Sequence, residues 1–283
     1  MKLMKFTKME GSGNDFIVFE SHQSSVIPSA GGSAFGGSRQ SFIKKVCDRK
    51  FGVGADGVLL LEVSKKADTR MRIFNADGSE AEMCGNGARC VALYYSKSSG
   101  LKNISIETKA GLLEACVSGD SVRLKMTDPA DLKLGLKVNV NGKEYEVDYI
   151  NTGVPHTVTE VCDLKKIPVN EIGRSIRHHQ DFAPAGTNVD FVKVKDAEHI
   201  SVRTYERGVE DETLACGTGS VACAIIVSLN HASQTQKGKI SSHKVFVATK
   251  SRETLCVYFR LSKYKVTDVW LEGKARIVFK GEY

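Results

Sequence analysis

An α+β fold built from two similar lobes is what this sequence predicts. Three observations carry it: a high density of short strand-like runs, a cysteine-glycine motif that occurs twice, and a length of 283 residues, which suits two cores better than one.

The runs are segments 16–20, 58–63, 104–108, 112–117, 121–126, 145–150, 190–194, 200–205, 245–249, 255–261 and 275–280. Val, Ile, Leu, Phe and Tyr dominate them, and Gly, Asn, Asp or Ser separate them. Around Ser118-Gly119-Asp120 two runs read as a hairpin. Segment 21–38 is rich in Ser, Gly and Ala without an apolar period and reads as a surface loop, a lid or merely a tolerated one, ahead of a helix over 41–49.

Compared with itself, the chain repeats. Glu80-x-x-x-Cys84-Gly85-Asn86-Gly87 recurs 132 residues later as Glu212-x-x-x-Cys216-Gly217-Thr218-Gly219, and each copy enters an apolar helix. Arg72-Ile73-Phe74 precedes the first copy and Arg203-Thr204-Tyr205 the second; Asn14-Asp15-Phe16 is echoed by Asn188-Val189-Asp190-Phe191. A duplicated lobe follows, each carrying a strand-loop-helix unit with a cysteine at the turn, and pseudo-symmetry would set the two cysteines facing each other across a cleft.

Composition narrows the function classes. Net charge is +7, but the 40 basic residues are scattered among 33 acidic ones, without a basic block or an aromatic-interleaved motif, so no nucleic acid is expected as a partner. The N-terminus lacks the apolar core of a secretory signal and the longest later apolar run, 221–229, is too short for a bilayer, so a cytosolic protein without membrane partners is predicted. In that compartment the eight cysteines read as free thiols, ligands or catalysts rather than as a disulfide framework.

The repeated motif suggests its own chemistry. A thiol where a helix begins meets unsatisfied N–H groups and the positive end of the helix dipole, which should lower its pKa; glycines there let backbone amides approach a carboxylate. Two such termini serving one substrate would place a sulfur on each side of an α-carbon. One thiolate would remove the α-proton while the other thiol returned a proton to the opposite face, with no metal, pyridoxal group or other cofactor. Three alternatives stand beside this: inert buried cysteines, the reading given to the other six including Cys90 and Cys223; structural zinc held by Cys84, Cys90, Cys216 and Cys223; and a Cys84–Cys216 disulfide in a redox-responsive binding protein.

The segments FNADGSEAEMCGNGARC (74–90) and YERGVEDETLACGTGS (205–220) closely resemble the two active-site signatures of the diaminopimelate epimerase family, and KMEGSGNDF (8–16) and GTNVDF (186–191) resemble its substrate-binding segments. The resemblance is collinear over essentially the whole chain. It implies lobes of mixed, largely antiparallel sheet each curled around a central helix: an N-terminal lobe 1–128 completed by a C-terminal strand within 270–283, and a second lobe 129–269. It implies, too, epimerisation of LL-2,6-diaminoheptanedioate to the meso isomer, toward lysine and cell-wall precursor, by a protein compatible with a homodimer. A proline racemase-like or phenazine-type relative of the same fold is the alternative within enzymes.

By motif, Gly85, Asn86, Gly217 and Thr218 would hold the reacting carboxylate. Asn14, Asn75, Asn188 and Arg207 would bind the distal end, and Glu206 and His156 would lie beside substrate and thiols. Taken alone, His156 in Gly-Val-Pro-His reads as a turn histidine, Glu80 and Glu212 as loop or capping acids, and Arg89 carries no assignment. The chain departs from the family at Val154, where many members have Asn, and at Gly57, where some have Gln.

Overall fold

The computed structural model of the chain describes residues 3–20, 38–231, 240–263 and 265–283. Of the loop expected at 21–38, all but Ser38 lies outside the described residues. The chain divides into two compact units, Met1–Leu124 with Gly273–Tyr283, and Lys125–Glu272.

The first unit holds β1 (Lys5–Gly11), β2 (Asn14–Glu20), β3 (Gly57–Glu62), β4 (Thr69–Asn75), the short β5 (Glu80–Ala81), β6 (Asn103–Thr108), β7 (Gly111–Ser118), β8 (Ser121–Lys125) and the last strand of the chain, β18 (Arg276–Glu282). Their order is β18-β1-β2-β3-β4-β6-β7-β8, parallel only at β2/β3 and β4/β6, with β5 folded back on β4. Helix α2 (Gly85–Ser99) packs against β1, β2, β3, β4, β6, β7 and β18, so the sheet wraps it. On the opposite face lies α1 (Arg39–Cys47), opened by the Ser38 side chain accepting from Ser41 N–H; its Ile43, Val46 and Cys47 meet Phe19, Val58, Leu60 and Phe74. Covered on both faces, β3 reads as an unbroken apolar run rather than an alternating one.

The second unit repeats this plan. It contains β9 (Ala130–Val140), β10 (Lys143–Asn151), β11 (Pro155–Glu160), β12 (Asn188–Val194), β13 (His199–Glu206), β14 (Asp211–Thr213), β15 (Ser241–Ala248), β16 (Thr254–Ser262) and β17 (Lys265–Lys274). The order is β9-β10-β11-β12-β13-β15-β16-β17, parallel only at β11/β12 and β13/β15. Helix α4 (Gly217–Asn230) is the wrapped helix, with Gly219 through Val227 buried, and α3 (Val169–Arg177) covers the outer face. Strand β18 takes in the first unit the place of β9 in the second.

Strand register makes the correspondence residue by residue. Phe16 pairs with Gly57 as His156 pairs with Asn188, and Leu59 pairs with Ile73 as Asp190 pairs with Thr204. The sequence echo of Asn14 in Asn188 is therefore not a structural one: the counterpart of Asn188 is Gly57, and that of His156 is Phe16. The turn expected at Ser118-Gly119-Asp120 closes the β7/β8 hairpin, with Ser118 opposite Ser121 and Gly119 at φ 61.

Among the described residues no helix is long and apolar enough to cross a membrane. All eight cysteines are free thiols; the inert, buried reading fails for Cys116 and Cys162, which are exposed. No group of three or more His, Cys, Asp or Glu among the described residues is arranged to hold a metal ion.

Candidate functional site

Both motif cysteines are helix N-caps. Cys84 has extended backbone (φ −145°, ψ 120°) and its Sγ accepts from Gly87 N–H at 3.5 Å; Cys216 (φ −107°, ψ 115°) accepts from Gly219 N–H at 3.4 Å. Each thiol satisfies a donor that the first helical turn leaves open.

What brings each cysteine to its helix is an ion pair also present twice. Arg72 grips Glu80 bidentately at 2.7 and 3.0 Å, with Lys109 on the same carboxylate at 2.8 Å. Arg203 grips Glu212 at 2.6 and 2.8 Å, with Lys250 at 2.8 Å. Glu80 and Glu212 are thus neither loose loop acids nor caps: they tie β5 and β14 to β4 and β13 just before the cysteine, in the fork geometry that only arginine offers. Hydrogen bonds from Arg72 hold the Glu80 carboxyl at about 2.

Around Cys84 the polar side chains form a chain. Asn86 donates to Asn14 Oδ1 at 2.6 Å, Asn14 donates to Asp56 at 3.1 Å, and Arg89 donates to Asn86 Oδ1 at 2.6 Å and to Ser12 at 2.8 Å. Sequence reasoning gave Arg89 no role, yet it is wholly buried in α2; a cation in an otherwise apolar helix face was the available signal. Burial alone would raise the Asp15 carboxyl, but Arg49 and Lys8 hold it well below the usual range, and Arg49 also reaches Asp56 at 2.7 Å. Asn75 stands apart from this chain, exposed, donating to Ser79 Oγ at 3.0 Å.

Around Cys216 the arrangement is different. His156 lies in β11, fully buried, not in a turn. Its Nδ1 is 2.7 Å from Asp190 Oδ2, its Nε2 is 2.9 Å from Thr218 Oγ1, and Thr218 Oγ1 is 3.4 Å from Cys216 Sγ. Thr204 donates to the other carboxylate oxygen of Asp190 at 2.6 Å. Asp190 and Thr204 were not singled out from sequence; the lone carboxylate in Val-Asp-Phe-Val, on the α4-facing side of β12, was the signal.

Burial pushes the Cys216 thiol well above its ordinary pKa, and Glu206 and Asp190 add to this, while Thr218 and the Gly219 amide pull the other way. The lowering expected from the helix N-terminus is therefore overturned at Cys216, because loss of solvent outweighs two weak hydrogen bonds.

Asn188 and Arg207 also have protein partners. Asn188 donates to Pro155 O at 2.9 Å and accepts from Arg207 N–H at 2.8 Å, which fixes the chain where β12 meets the loop after β13. The Arg207 guanidinium reaches Ala185 O at 3.3 Å. At Gly57, on β3, a Cβ would lie 2.5 Å from Phe74 O, so the backbone of the neighbouring β4 excludes any longer side chain at that position.

The glycines of the two motifs divide by role. A Cβ at Gly85 would meet nothing within 4 Å, so the space beside its α-carbon is open. At Gly217 a Cβ would lie 2.9 Å from Leu271 Cδ2. Gly87 is a packing glycine, 3.0 Å from Leu59 Cδ2 and 3.4 Å from Ile73 Cδ1.

Burial also raises the Glu206 carboxyl, with Thr213 and His156 opposing. A carboxyl raised in the folded state favours folding below its unfolded value of about 4.3, and that contribution is lost as pH rises through the folded value. Glu206→Gln is expected to be more stable than the parent at neutral pH, the difference shrinking toward pH 4; equal denaturation midpoints for the two proteins across that range would refute the assignment.

The sequence model of the diaminopimelate epimerase family matches residues 6–132 and 148–250. The chain is 41% identical to the diaminopimelate epimerase of Aquifex aeolicus over 98% of its own length and 97% of that protein's, and 43% identical to that of Methanocella arvoryzae over 100% and 97%. Among solved structures it is similar to a PhzF-family phenazine biosynthesis protein of Bacillus anthracis (TM-score 0.69, 18% identity, covering 100% of this chain and 99% of that one). It is also similar to a hydroxyproline epimerase of Agrobacterium vitis (TM-score 0.67, 16% identity, covering 100% and 91%). At those identities the likeness is one of fold.

Proposed function

We propose, from the premise that the chain belongs to the diaminopimelate epimerase family, a family of isomerases, that it interconverts LL- and meso-2,6-diaminoheptanedioate by proton transfer between the α-carbon and two thiols, Cys84 and Cys216. The observation that carries this reading is the repetition itself: two sulfurs, each capping a wrapped helix and each accepting from the glycine amide three residues on.

In this reading one thiolate takes the α-proton and the other thiol supplies a proton to the opposite face. The amides of Gly85 and Gly217, with the side chains of Asn86 and Thr218, hold the reacting carboxylate as negative charge grows on it. Asn14, Asn75, Asn188 and Arg207 receive the distal amino-acid end, Arg207 by its carboxylate. Glu206 and His156 set the protonation of the thiols. The proposed chemistry uses only side chains and backbone amides, and the substrate places the pathway in lysine and cell-wall precursor synthesis.

The test is isotopic. Reduced protein incubated with the LL or the meso isomer in D₂O is expected to place deuterium at the inverted α-carbon, read by NMR, as the other isomer accumulates. Inversion without solvent deuterium, or no conversion of either isomer, overturns the proposal.

A further inference from the structure

The two units have one fold but not one chemistry beneath the cysteine. In the second unit His156, Asp190 and Thr204 form a buried polar column facing α4; the register puts Phe16, Leu59 and Ile73 at those three places in the first. The helix answers accordingly: Gly87 abuts Leu59 and Ile73, whereas a Cβ at Gly219 would overlap Asp190 Oδ1 and lie 3.3 Å from His156 Cε1. Burying a carboxylate and an imidazole where three apolar side chains would serve is costly unless each is paired, and here both are.

Resting on the reading that Cys216 is one of the two proton-transferring thiols, we propose that Asp190 is a positioning residue which fixes the tautomer of His156, so that the Thr218 hydroxyl links the Cys216 thiol to the imidazole as a proton relay. The hydrogen bonds set its direction. The carboxylate can only accept, so Thr204 donates to Oδ1 and the ring gives its Nδ1–H to Oδ2. That leaves Nε2 bare, accepting from Thr218 at 2.9 Å, and leaves the Thr218 oxygen to accept from the thiol at 3.4 Å.

The step balances. The S–H bond of Cys216 breaks as an O–H bond forms on Thr218; the original Thr218 O–H breaks as an N–H bond forms at Nε2. The products are a thiolate, an unchanged threonine and an imidazolium facing Asp190, and nothing is oxidised or reduced. The titratable groups around the thiol are Glu206, Asp190, His156 and Cys223, and burial resists its ionisation. A proton acceptor inside the same dry environment answers that resistance, as a carboxylate-oriented histidine does for other nucleophiles.

The readouts need no substrate, so they stand apart from whether the protein is an epimerase. In ¹⁵N spectra of the unsubstituted reduced protein, His156 is expected to carry its proton on Nδ1. In Asp190→Asn, Thr204 keeps the amide oxygen at its place and the NH₂ faces the ring, driving His156 to the Nε2–H form. Iodoacetamide alkylation of Cys216, followed by peptide mass spectrometry with Cys84 as internal reference, should then slow by about tenfold or more. Thr218→Val should slow it similarly without changing the tautomer, and Thr218→Ser should restore it, so the idea stays testable should Asp190→Asn fail to fold. A parent protein protonated at Nε2, or Cys216 alkylation indifferent to both Asp190→Asn and Thr218→Val, overturns the relay.

Discussion

Serine in place of either Cys84 or Cys216 is expected to lower the rate of α-carbon inversion by about 10²–10⁴-fold with little change in stability. Stability holds because the thiol's structural task is to accept one N–H from Gly87 or Gly219, and a serine oxygen is a preferred helix cap. The rate falls because a hydroxyl releases its proton far less readily than a thiol. Since the two groups are proposed to act as a unit, the double substitution should be no slower than the worse single one within a small factor. Steady-state kinetics with circular dichroism on the same samples checks both halves. Additive losses would mean that the cysteines do not share one reaction.

Gly219→Ala is expected to destabilise the second unit by roughly 1–3 kcal/mol, whereas Gly85→Ala should be neutral or slightly stabilising. Both replace a helical glycine by the best helix former, which favours folding by up to about 1 kcal/mol. Only at Gly219 does the new methyl group collide, and what it strikes is the Asp190 carboxylate, pinned by His156 and Thr204 with no solvent to move into. Denaturant midpoints for the two variants decide between them. A Gly219→Ala protein as stable as Gly85→Ala would show that the Asp190 column yields without cost.

Each of the strand runs noted in the sequence lies on a strand of the fold, because β-branched and aromatic runs between turn residues are a local signal. Strands β1, β4, β9, β11 and β17, with the short β5 and β14, escaped notice, and for β1, β4 and β11 the reasons are equally local. Lys8 and His156 face inward from sequences that look polar, and β4 alternates Arg with apolar residues. Helix α3 carries Gly173 in its middle, a poor helix former that is there because the Tyr205 ring packs on it, with Cγ 2.8 Å from a notional Cβ. A contact across 32 residues of chain cannot be read from a nine-residue window.

The same division holds for the candidate site. The motif around Cys84 and its copy around Cys216 determined by themselves the duplication, the two helix starts and the family, since all of these depend on residues close together in the chain. Only the tertiary structure decided how the two thiols differ: Asp190 and Thr204 reach His156 through strand pairing, and burial rather than the helix terminus governs the Cys216 thiol. Hydrogen bonds and desolvation act through space, and the chain order that places a cysteine before a helix carries no record of which side chain the opposing strand will set beneath it.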